Sequence, residues 1–361
     1  MSSKQIILTF RSPFTGVYSD SKIVALVDRY ISFIWNETYQ GGGSFKLVLH
    51  ELPKGIEEDS ILEIPGSTEI MVVDEIYREY IPGQKTTITV SGIAFFEWAL
   101  SKRVVGGSYL ANDTLVKVTE ALSNQAFEQA GDRFMPGFKF TSVLEGSSAS
   151  YSITKQLCGE RLDKLFKDFA SEASVGIRSS VVSNTQEVSF RYYIGTDRPN
   201  VVFSTRNGGL AKFTRLQRKG GRKTFMYGAG DSSKAVRYLV TQQRTPTARG
   251  WSRNEGFYDG GGLPTKNADG TDLDFQVQVR TLLRETSGAL NKTRDVDAAD
   301  GETVPQVLYR YKKDYSLGDI VYLENLDKAR ARVRVVEYTF TSEEDGTRTF
   351  PTFKNLDEDL V

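Results

Sequence analysis

Residues 31–49 read ISFIWNETYQGGGSFKLVL, and this stretch decides the fold class. Two runs rich in β-branched and aromatic residues, Ile31 to Tyr39 and Phe45 to Leu49, flank the glycines Gly41 to Gly43. Apolar β-rich runs separated by a short glycine turn are typical of a β-hairpin. The stretch therefore predicts two antiparallel strands near the start of the chain.

The rest of residues 1–92 continues the β pattern. Glu69 to Tyr77 and Thr86 to Val90 form a second pair of runs around Pro82-Gly83. Five or more short strands at this spacing predict a barrel or a sandwich. The apolar residues from Ile23 to Ile34 also fit helical spacing, so a strand and a helix are both open there.

The hydrophobic period changes after residue 93. Ala94 to Lys102 and Thr114 to Gln129 contain good helix formers. Leu162, Leu165, Phe166 and Phe169 recur at i, i+3, i+4 and i+7, which predicts an amphipathic helix with a core-facing stripe. Strand character returns after residue 187, and Asp274 to Leu290 is predicted to be a further helix.

The two β ends of the chain are similar to each other. Without gaps, Val72-Val73-Asp74, Tyr77, Gly83 and Thr86 align on Val335-Val336-Glu337, Phe340, Gly346 and Thr349, and Gly55 then coincides with Gly318. The similarity has two explanations, a duplicated β domain or two generic hairpins that align by chance.

Residue counts exclude several kinds of site. The chain has one histidine, His50, and one cysteine, Cys158, which excludes an internal disulfide and any zinc site with several Cys or His ligands. A Ser-His-Asp triad would need His50, which lies in a strand-like run and is predicted to be a partly exposed strand residue. Cys158 is predicted to be a small buried hydrophobe. We expect no catalytic residue, no metal site and no cofactor.

Three loop segments are candidate ligand sites. The acidic loop Asn267, Asp269, Gly270, Asp272 and Asp274 offers oxygen atoms to calcium but lacks a correctly spaced glutamate, so a polar turn before a helix is favoured. The glycine-rich segments 228–231 and 260–266 lack the context of a dinucleotide fingerprint and of a phosphate-binding loop.

Charge is distributed unevenly along a neutral chain. Lys+Arg is 46 and Asp+Glu is 46. Residues 1–100 hold 8 basic and 13 acidic residues, whereas residues 206–253 hold twelve basic residues and one acidic residue, Asp231. Three interpretations stay open for the basic segment: a face that meets an acidic face in head-to-tail assembly, contact with phosphates, or solvated strand faces. The candidate contact residues are Arg206, Lys212, Arg215, Arg218, Lys219, Arg222, Lys223, Arg237 and Arg244.

Neither a secretion signal nor a membrane span is predicted. The apolar start is limited to Ile6-Ile7-Leu8, which is shorter than a signal-peptide core, and no run approaches the ~20 apolar residues of a spanning helix.

Two segments resemble the tail hub proteins of long-tailed bacteriophages (siphoviruses). In the first hairpin the resemblance lies in Trp35, Tyr39, Gly43 and Phe45 with their neighbours, and near the end it lies in residues 314–321, 331–333 and 343–346, including Gly318, Asp319, Asp345 and Gly346. Val188 to Phe190, Gly195 to Asp197 and Val201 to Ser204 match more loosely.

The resemblance implies a structural role in the virion, at the tip of the phage tail, for a protein made in the host cytoplasm. Such hubs, which are similar to the hub of contractile-tailed phages, form a homotrimer whose two tube-like β domains per subunit make a pseudo-six-fold ring. The implied partners are the distal tail protein, the tape measure protein and a tail fibre or tip protein, with transient passage of phage DNA and no small-molecule substrate. Many relatives carry a C-terminal hydrolase or fibre, and the end at Val361 implies that such an activity belongs to another protein.

We therefore predict a mainly β chain of the α+β class, with two tube-like β-barrel or sandwich domains, a helical domain and an inserted loop-rich domain. The predicted segments are 1–92 (first tube-like domain), 93–180 (helical or mixed), 181–245 (first part of the second tube-like domain), 246–305 (insertion) and 306–361 (closing strands). The predicted function is a structural tail hub, not an enzyme, that caps the tail tube, organises host attachment and opens for DNA ejection. The alternatives are a distal tail or other tail-tip protein, a carboxylate-dependent cell-wall hydrolase, and a nucleic-acid-binding protein.

Overall fold

The computed structural model describes residues 5–14, 18–67, 69–142, 144, 150–182, 185–218, 221–231, 236–244, 248–267, 270–293, 296–303, 308–324, 328, 330–344 and 346–356. The strands are β1 Leu8–Arg11, β2 Ile23–Val27, β3 Ser32–Thr38, β4 Gly43–Leu49, β5 Ile61–Glu63, β6 Met71–Glu79, β7 Thr87–Ala94, β8 Tyr109–Thr114, β9 Phe138–Phe140, β10 Ser152–Leu157, β11 Gly176–Val181, β12 Val188–Tyr193, β13 Asp197–Ser204, β14 Leu210–Arg218, β15 Phe225–Gly230, β16 Leu239–Gln243, β17 Glu255–Gly260, β18 Val296–Thr303, β19 Ile320–Glu324, β20 Arg330–Glu343 and β21 Gly346–Asn355. The helices are α1 Phe95–Ser101, α2 Leu115–Ser123, α3 Leu162–Glu172 and α4 Phe275–Lys292.

The chain divides into two compact units. The first contains Met1–Ile153, Leu157–Phe213 and Asp300–Val361, and the second contains Thr154–Gln156 and Thr214–Ala299. The finer division into five segments stays a prediction.

One large sheet dominates the first unit. Its strands are hydrogen-bonded in the order β13-β19-β20-β3-β4-β7-β6-β5-β1-β2, with β21 paired to β20. Buried and exposed positions alternate along β3, β4 and β7, as expected for strands with one face on a core. The predicted hairpin is β3–β4, and Ile23 to Ile34 forms strands rather than a helix. The predicted mainly β class is confirmed, but within the described residues the sheet is an open path and does not close into a barrel.

Three short helices cover an aromatic core in the same unit. The predicted stripe of α3, from Leu162 to Phe169, is buried against the sheet β11-β12-β9. Phe190 of β12 lies at the centre, with its ring centroid 5.3 Å from that of Phe138 and 5.7 Å from that of Phe166. Burial of these large rings holds the helices to the sheet, because each removes apolar surface from water.

The second unit is a three-stranded sheet with one long helix. The sheet order is β16-β15-β17, and α4 packs on it. The carboxylate of Asp274 caps α4 by accepting a hydrogen bond from the N–H of Gln276 at 2.7 Å. None of the helices in the described ranges has the length and apolar character that a membrane span requires.

The single cysteine and the single histidine both lie at the surface. Cys158 is exposed, so the prediction of a buried hydrophobe was wrong. The residue follows the end of β10 in a bend, where its side chain has no core to enter. His50 is exposed just after β4, and its Nδ1 lies 3.0 Å from the carbonyl oxygen of Thr86.

Candidate assembly site

Tyr39 lies where three parts of the first unit meet. Its N–H donates to the carbonyl of Val336 in β20, and its carbonyl accepts from Ile177 in β11, both at 2.8 Å. The ring is 1% exposed, and its hydroxyl accepts from the guanidinium of Arg334 at 2.6 Å. Main chain and side chain of this one residue therefore connect the first hairpin, the closing hairpin and the helix-covered sheet.

Two glycines make room for the Tyr39 ring. A Cβ atom on Gly176 or on Gly318 would lie 2.3 Å from Cε2 of that ring. Gly318 also has φ of +87°, a conformation that side-chain-bearing residues rarely adopt. Both positions thus require glycine for steric reasons, and at Gly318 the backbone requires it as well.

Asp319 organises the turn that begins at Gly318. Its buried carboxylate accepts hydrogen bonds from the N–H groups of Thr196 at 2.7 Å and Ser316 at 3.0 Å, and from Nε of Arg198 at 3.1 Å. A Cβ on Gly195 would lie 1.9 Å from the carbonyl oxygen of Gly318. The loosely matched Gly195 to Asp197 motif and the Gly318-Asp319 motif are therefore in direct contact.

The first hairpin supplies core residues. Trp35 and Phe45 face each other across β3 and β4, and they are 0% and 2% exposed. A Cβ on Gly43 would lie 2.5 Å from the carbonyl oxygen of Asn36, so glycine permits the close turn. Gly346 begins β21 opposite Glu343. Asp345 lies outside the described residues, and the functional roles of these motif residues stay predictions.

Two carboxyl groups that the sequence did not single out are those of buried Glu37 and half-buried Glu69. Both line a small cavity in the first unit. The pKa of Glu69 is raised to about 7, mainly by burial and also by the neighbouring charge of Glu37. The burial of Glu37 could have been predicted from the sequence, because Glu37 lies two residues after Trp35 and four after Phe33, on the core-facing side of β3.

The hairpins β6–β7 and β20–β21 share a hydrogen-bonding pattern. Val73 in β6 donates to the carbonyl of Ser60 and accepts from Asp59, at 2.8 and 2.9 Å. Val335 in β20 donates to the carbonyl of Asp319 and accepts from Gly318, at 2.9 and 2.8 Å. Each valine is fully buried and is followed by a β-bulge.

The preceding turns also correspond. The N–H of Glu57 donates to the side chain of Ser60, and the N–H of Ser316 donates to the side chain of Asp319, both at 3.0 Å. Asp59 and Gly318 both have positive φ. The structure thus supports an internal repeat but corrects its alignment: Val73 matches Val335 rather than Val336, and Gly318 matches Asp59 rather than Gly55.

The candidate basic residues are divided between the two units. In the first unit, Arg206 pairs with Glu324 at 3.0 Å and Lys212 is exposed. In the second unit, three of them bond within that unit: Lys223 to Asn254, Arg237 to Asp259 and Arg244 to the carbonyl of Leu290, while Arg222 offers its carbonyl to Asn254. Arg215 and Arg218 belong to β14, and Lys219 lies outside the described residues. A single contact surface stays a prediction.

The acidic loop is a turn before α4. The side-chain amide of Asn267 donates to the hydroxyl of Thr271 at 2.9 Å, and Asp274 caps the helix. Asp269 is outside the described residues. Among the residues that the structure describes, no group of three His, Cys, Asp or Glu side chains is placed to hold a metal ion.

Solved structures of phage tail proteins have the same fold. The 43 kDa tail protein of prophage MuSo2 from Shewanella oneidensis superposes with a TM-score of 0.61 at 10% identity, covering 97% of this chain and 98% of that one. Prophage tail protein gp18 from Listeria monocytogenes EGD-e gives 0.58 at 11% identity, covering 99% and 96%. A tail protein from Neisseria meningitidis MC58 gives 0.55 at 12% identity, covering 97% of each chain. No curated protein matches the sequence.

The family was identified independently of these superpositions. The model of the Siphovirus ReqiPepy6 Gp37-like protein family matches residues 18–353, which is nearly the whole chain. The resemblance to phage tail proteins that the sequence indicated is confirmed, and family and fold agree with a location in the virion tail. The chain belongs to the Siphovirus ReqiPepy6 Gp37-like protein family.

Proposed function

We propose that the protein is a structural tail hub, a homotrimer whose two repeated β domains per subunit form a pseudo-six-fold ring. The observation that carries the proposal is the internal repeat of the hairpins β6–β7 and β20–β21, with matching bulges, turns and hydrogen bonds. Two equivalent domains in each of three subunits supply six similar positions around one axis, which suits the end of a tube.

The two hairpins differ in how their edges are covered. The first half of β20 pairs with β19, and its second half, Glu337 to Glu343, pairs with β3. The first half of β6 pairs with β5, but Glu75 to Glu79 pairs only with β7 among the described strands. When β6 is aligned with β20 as its repeat, this free edge corresponds to the edge of β20 that pairs with β3. A strand of the neighbouring subunit would cover it in the ring, because a free edge accepts a further strand.

Charge favours the same contact. The free edge of β6 exposes Glu75 and Glu79 against one basic residue, Arg78, and Asp74 is exposed at the bulge just before it. Residues 206–253 carry the excess of basic residues. An acidic edge on one subunit and basic residues on the next would steer head-to-tail association and set its register.

The hub would continue and cap the tail tube, organise the host-adsorption apparatus and open for DNA delivery. Its partners would be the distal tail protein, the tape measure protein and a fibre or tip protein, and its role would be mechanical rather than enzymatic. The family match and the shared fold of prophage tail proteins support this assignment.

Light scattering of the purified full chain, followed by particle averaging in the electron microscope, tests the proposal. We expect a ring-shaped trimer that is weakened by E75K/E79K on the β6 edge. The matched control E120K/D132K reverses two exposed charges in α2 and in the loop that follows it, and it should leave the trimer intact. A monomer at high concentration, or a trimer that E75K/E79K does not weaken, would contradict the proposed ring.

A further inference from the structure

Glu37 and Glu69 approach the same small cavity from different parts of the first unit. Glu37 lies in β3, and Glu69 lies two residues before β6. The cavity has a volume of about 20 Å³ and is also lined by Ser179 and Arg178 of β11 and by Tyr193 of β12. That volume accommodates about one water molecule, so the two carboxyl groups are poorly solvated.

Glu37 is surrounded by donors. Its carboxylate accepts hydrogen bonds from Nε1 of Trp35 at 2.9 Å, from the hydroxyl of Ser67 at 2.7 Å and from the hydroxyl of Tyr311 at 2.9 Å. The ammonium group of Lys312 lies 3.8 Å away. A carboxyl group that accepts three hydrogen bonds beside a cation is in the arrangement of an ionised carboxylate.

Glu69 has far less support for a negative charge. Its Oε2 accepts from the N–H of Ser179 at 3.3 Å and from its hydroxyl at 3.0 Å. The pKa of Glu69 is raised to about 7, first by burial and then by the charge of Glu37, and the opposing effects of the bonds from Ser179 and the charge of Arg178 are smaller. In the described part of the chain, no cation forms an ion pair with Glu69.

The other groups that face Glu69 do not compensate for an ionised carboxylate. Burial raises the pKa of both Tyr193 and Tyr311, so these phenols stay neutral. The guanidinium of Arg178 lies over the ring of Tyr193, with its central carbon 3.9 Å from the ring centroid. Ionised Glu69 would therefore place a second negative charge beside Glu37 in an enclosed space.

We propose that protonated Glu69 is a pH-sensitive latch that holds three segments of the first unit together. Strand β11 bonds Glu69 directly through Ser179, and strand β3 places Glu37 on the same cavity. The segment before β19 is joined to the cavity through Glu37, which accepts from Tyr311 and lies beside Lys312. Loss of the proton sets two carboxylates against each other, and separating β11 or the Tyr311–Lys312 segment from the cavity admits water to the charge. The latch is tightest below a pH of about 4.5, and it loosens as the pH rises from there to about 7.

Infrared spectroscopy of the full chain, with ¹³C-labelled glutamate, tests the protonation state. We expect a carbonyl band of a protonated carboxylic acid that persists to a pH of about 7, well above the ordinary glutamate value of about 4.3. E69Q should abolish this persistent band, and E58Q, at an exposed glutamate, should retain it. A wild-type protein without the band above a pH of about 6, or a band that survives in E69Q, would overturn the proposal.

Hydrogen exchange measures the latch itself. After correction for base catalysis, amides of residues 176–181 and 311–318 should open about tenfold more often at a pH of about 8.5 than at about 6, because ionisation favours the open form. E69Q should abolish this increase. S179A keeps Glu69 but removes a donor to its charged form, so it should move the response to higher pH. Equal pH responses in the wild type and both variants would overturn the latch, and these local readouts do not depend on ring formation.

Discussion

Replacing Gly318 by alanine should destabilise the first unit strongly, for two separable reasons. The backbone at Gly318 has φ of +87°, and the added Cβ would lie 2.3 Å from Cε2 of Tyr39. The ring cannot retreat freely, because Arg334 bonds its hydroxyl and Gly176 lies against it. G83A has the backbone cost alone, since Gly83 has φ of +85° with nothing within 4 Å of a Cβ. G176A has the steric cost without a positive φ.

The expected magnitudes follow from these contacts. A left-handed conformation costs a side-chain-bearing residue about 1–2 kcal/mol, and overpacking of a buried site costs about 1–3 kcal/mol. We therefore expect losses of about 1–2 kcal/mol for G83A and about 1–3 kcal/mol for G176A. Because G318A combines both effects, its expected loss is about 2–5 kcal/mol.

Urea unfolding followed by tryptophan fluorescence measures these losses. W251F provides the background, because Trp251 is fully exposed and belongs to the second unit, which leaves Trp35 and Trp98 to report on the first. In a further Y39L background the clash with the Tyr39 ring should disappear, so that G318A keeps only its backbone cost. G176A should become less costly but not neutral, because its Cβ would still lie 2.6 Å from Cε1 of Tyr193. A G318A loss no larger than that of G83A, or a G176A loss unchanged by Y39L, would refute the proposed packing of Tyr39.

Three further predictions concern stability. F45A should cost about 3–5 kcal/mol because it empties a buried site, whereas I34A, at a partly exposed position of β3, should cost clearly less in the same urea experiment. D319A should cost about 2–4 kcal/mol, because it leaves two N–H groups without their acceptor. The control D197A breaks an exposed ion pair with Arg332 and should cost less than about 1 kcal/mol. Equal losses in the two variants would count against the proposed role of Asp319 in its turn. The pKa of Glu69 is higher in the folded protein than in the unfolded chain, so the wild type should lose stability relative to E69Q as the pH rises from about 4.5 to about 7. The loss should be at most about 3 kcal/mol, because the residue is only half-buried overall. Thermal melting that gives parallel pH profiles for the two proteins would exclude the effect.

Local patterns predicted several elements well. The glycine turn between Tyr39 and Phe45 predicted the hairpin β3–β4, and the stripe from Leu162 to Phe169 predicted the buried face of α3. These signals succeed because strand alternation and helical period are set by neighbouring residues. The prediction for Cys158 failed because residue type alone does not reveal that a position lies in an exposed bend.

A gapless alignment of the sequence detects the internal repeat but does not align it correctly. The similarity of the hairpins β6–β7 and β20–β21 is visible in the valines at 72–73 and 335–336. The match of the valines is shifted by one residue, because the bulges at Asp74 and Val336 set the pairing of each hairpin, and the match of the preceding turn is shifted by four residues. A bulge is a feature of strand pairing, and the pattern of a single strand does not show it.

Taken by itself, the sequence determined the mainly β class, the order of the elements, the similarity of the chain's two ends and the resemblance to phage tail proteins. Only the tertiary structure decided that Tyr39, Gly176 and Gly318 share one packing site and that Glu37 and Glu69 face the same cavity. The physical reason is sequence separation: secondary structure follows from near neighbours, whereas the ring of Tyr39 meets glycines more than a hundred residues away. Such contacts, and the pKa of a buried carboxyl group, exist only once the sheet has assembled.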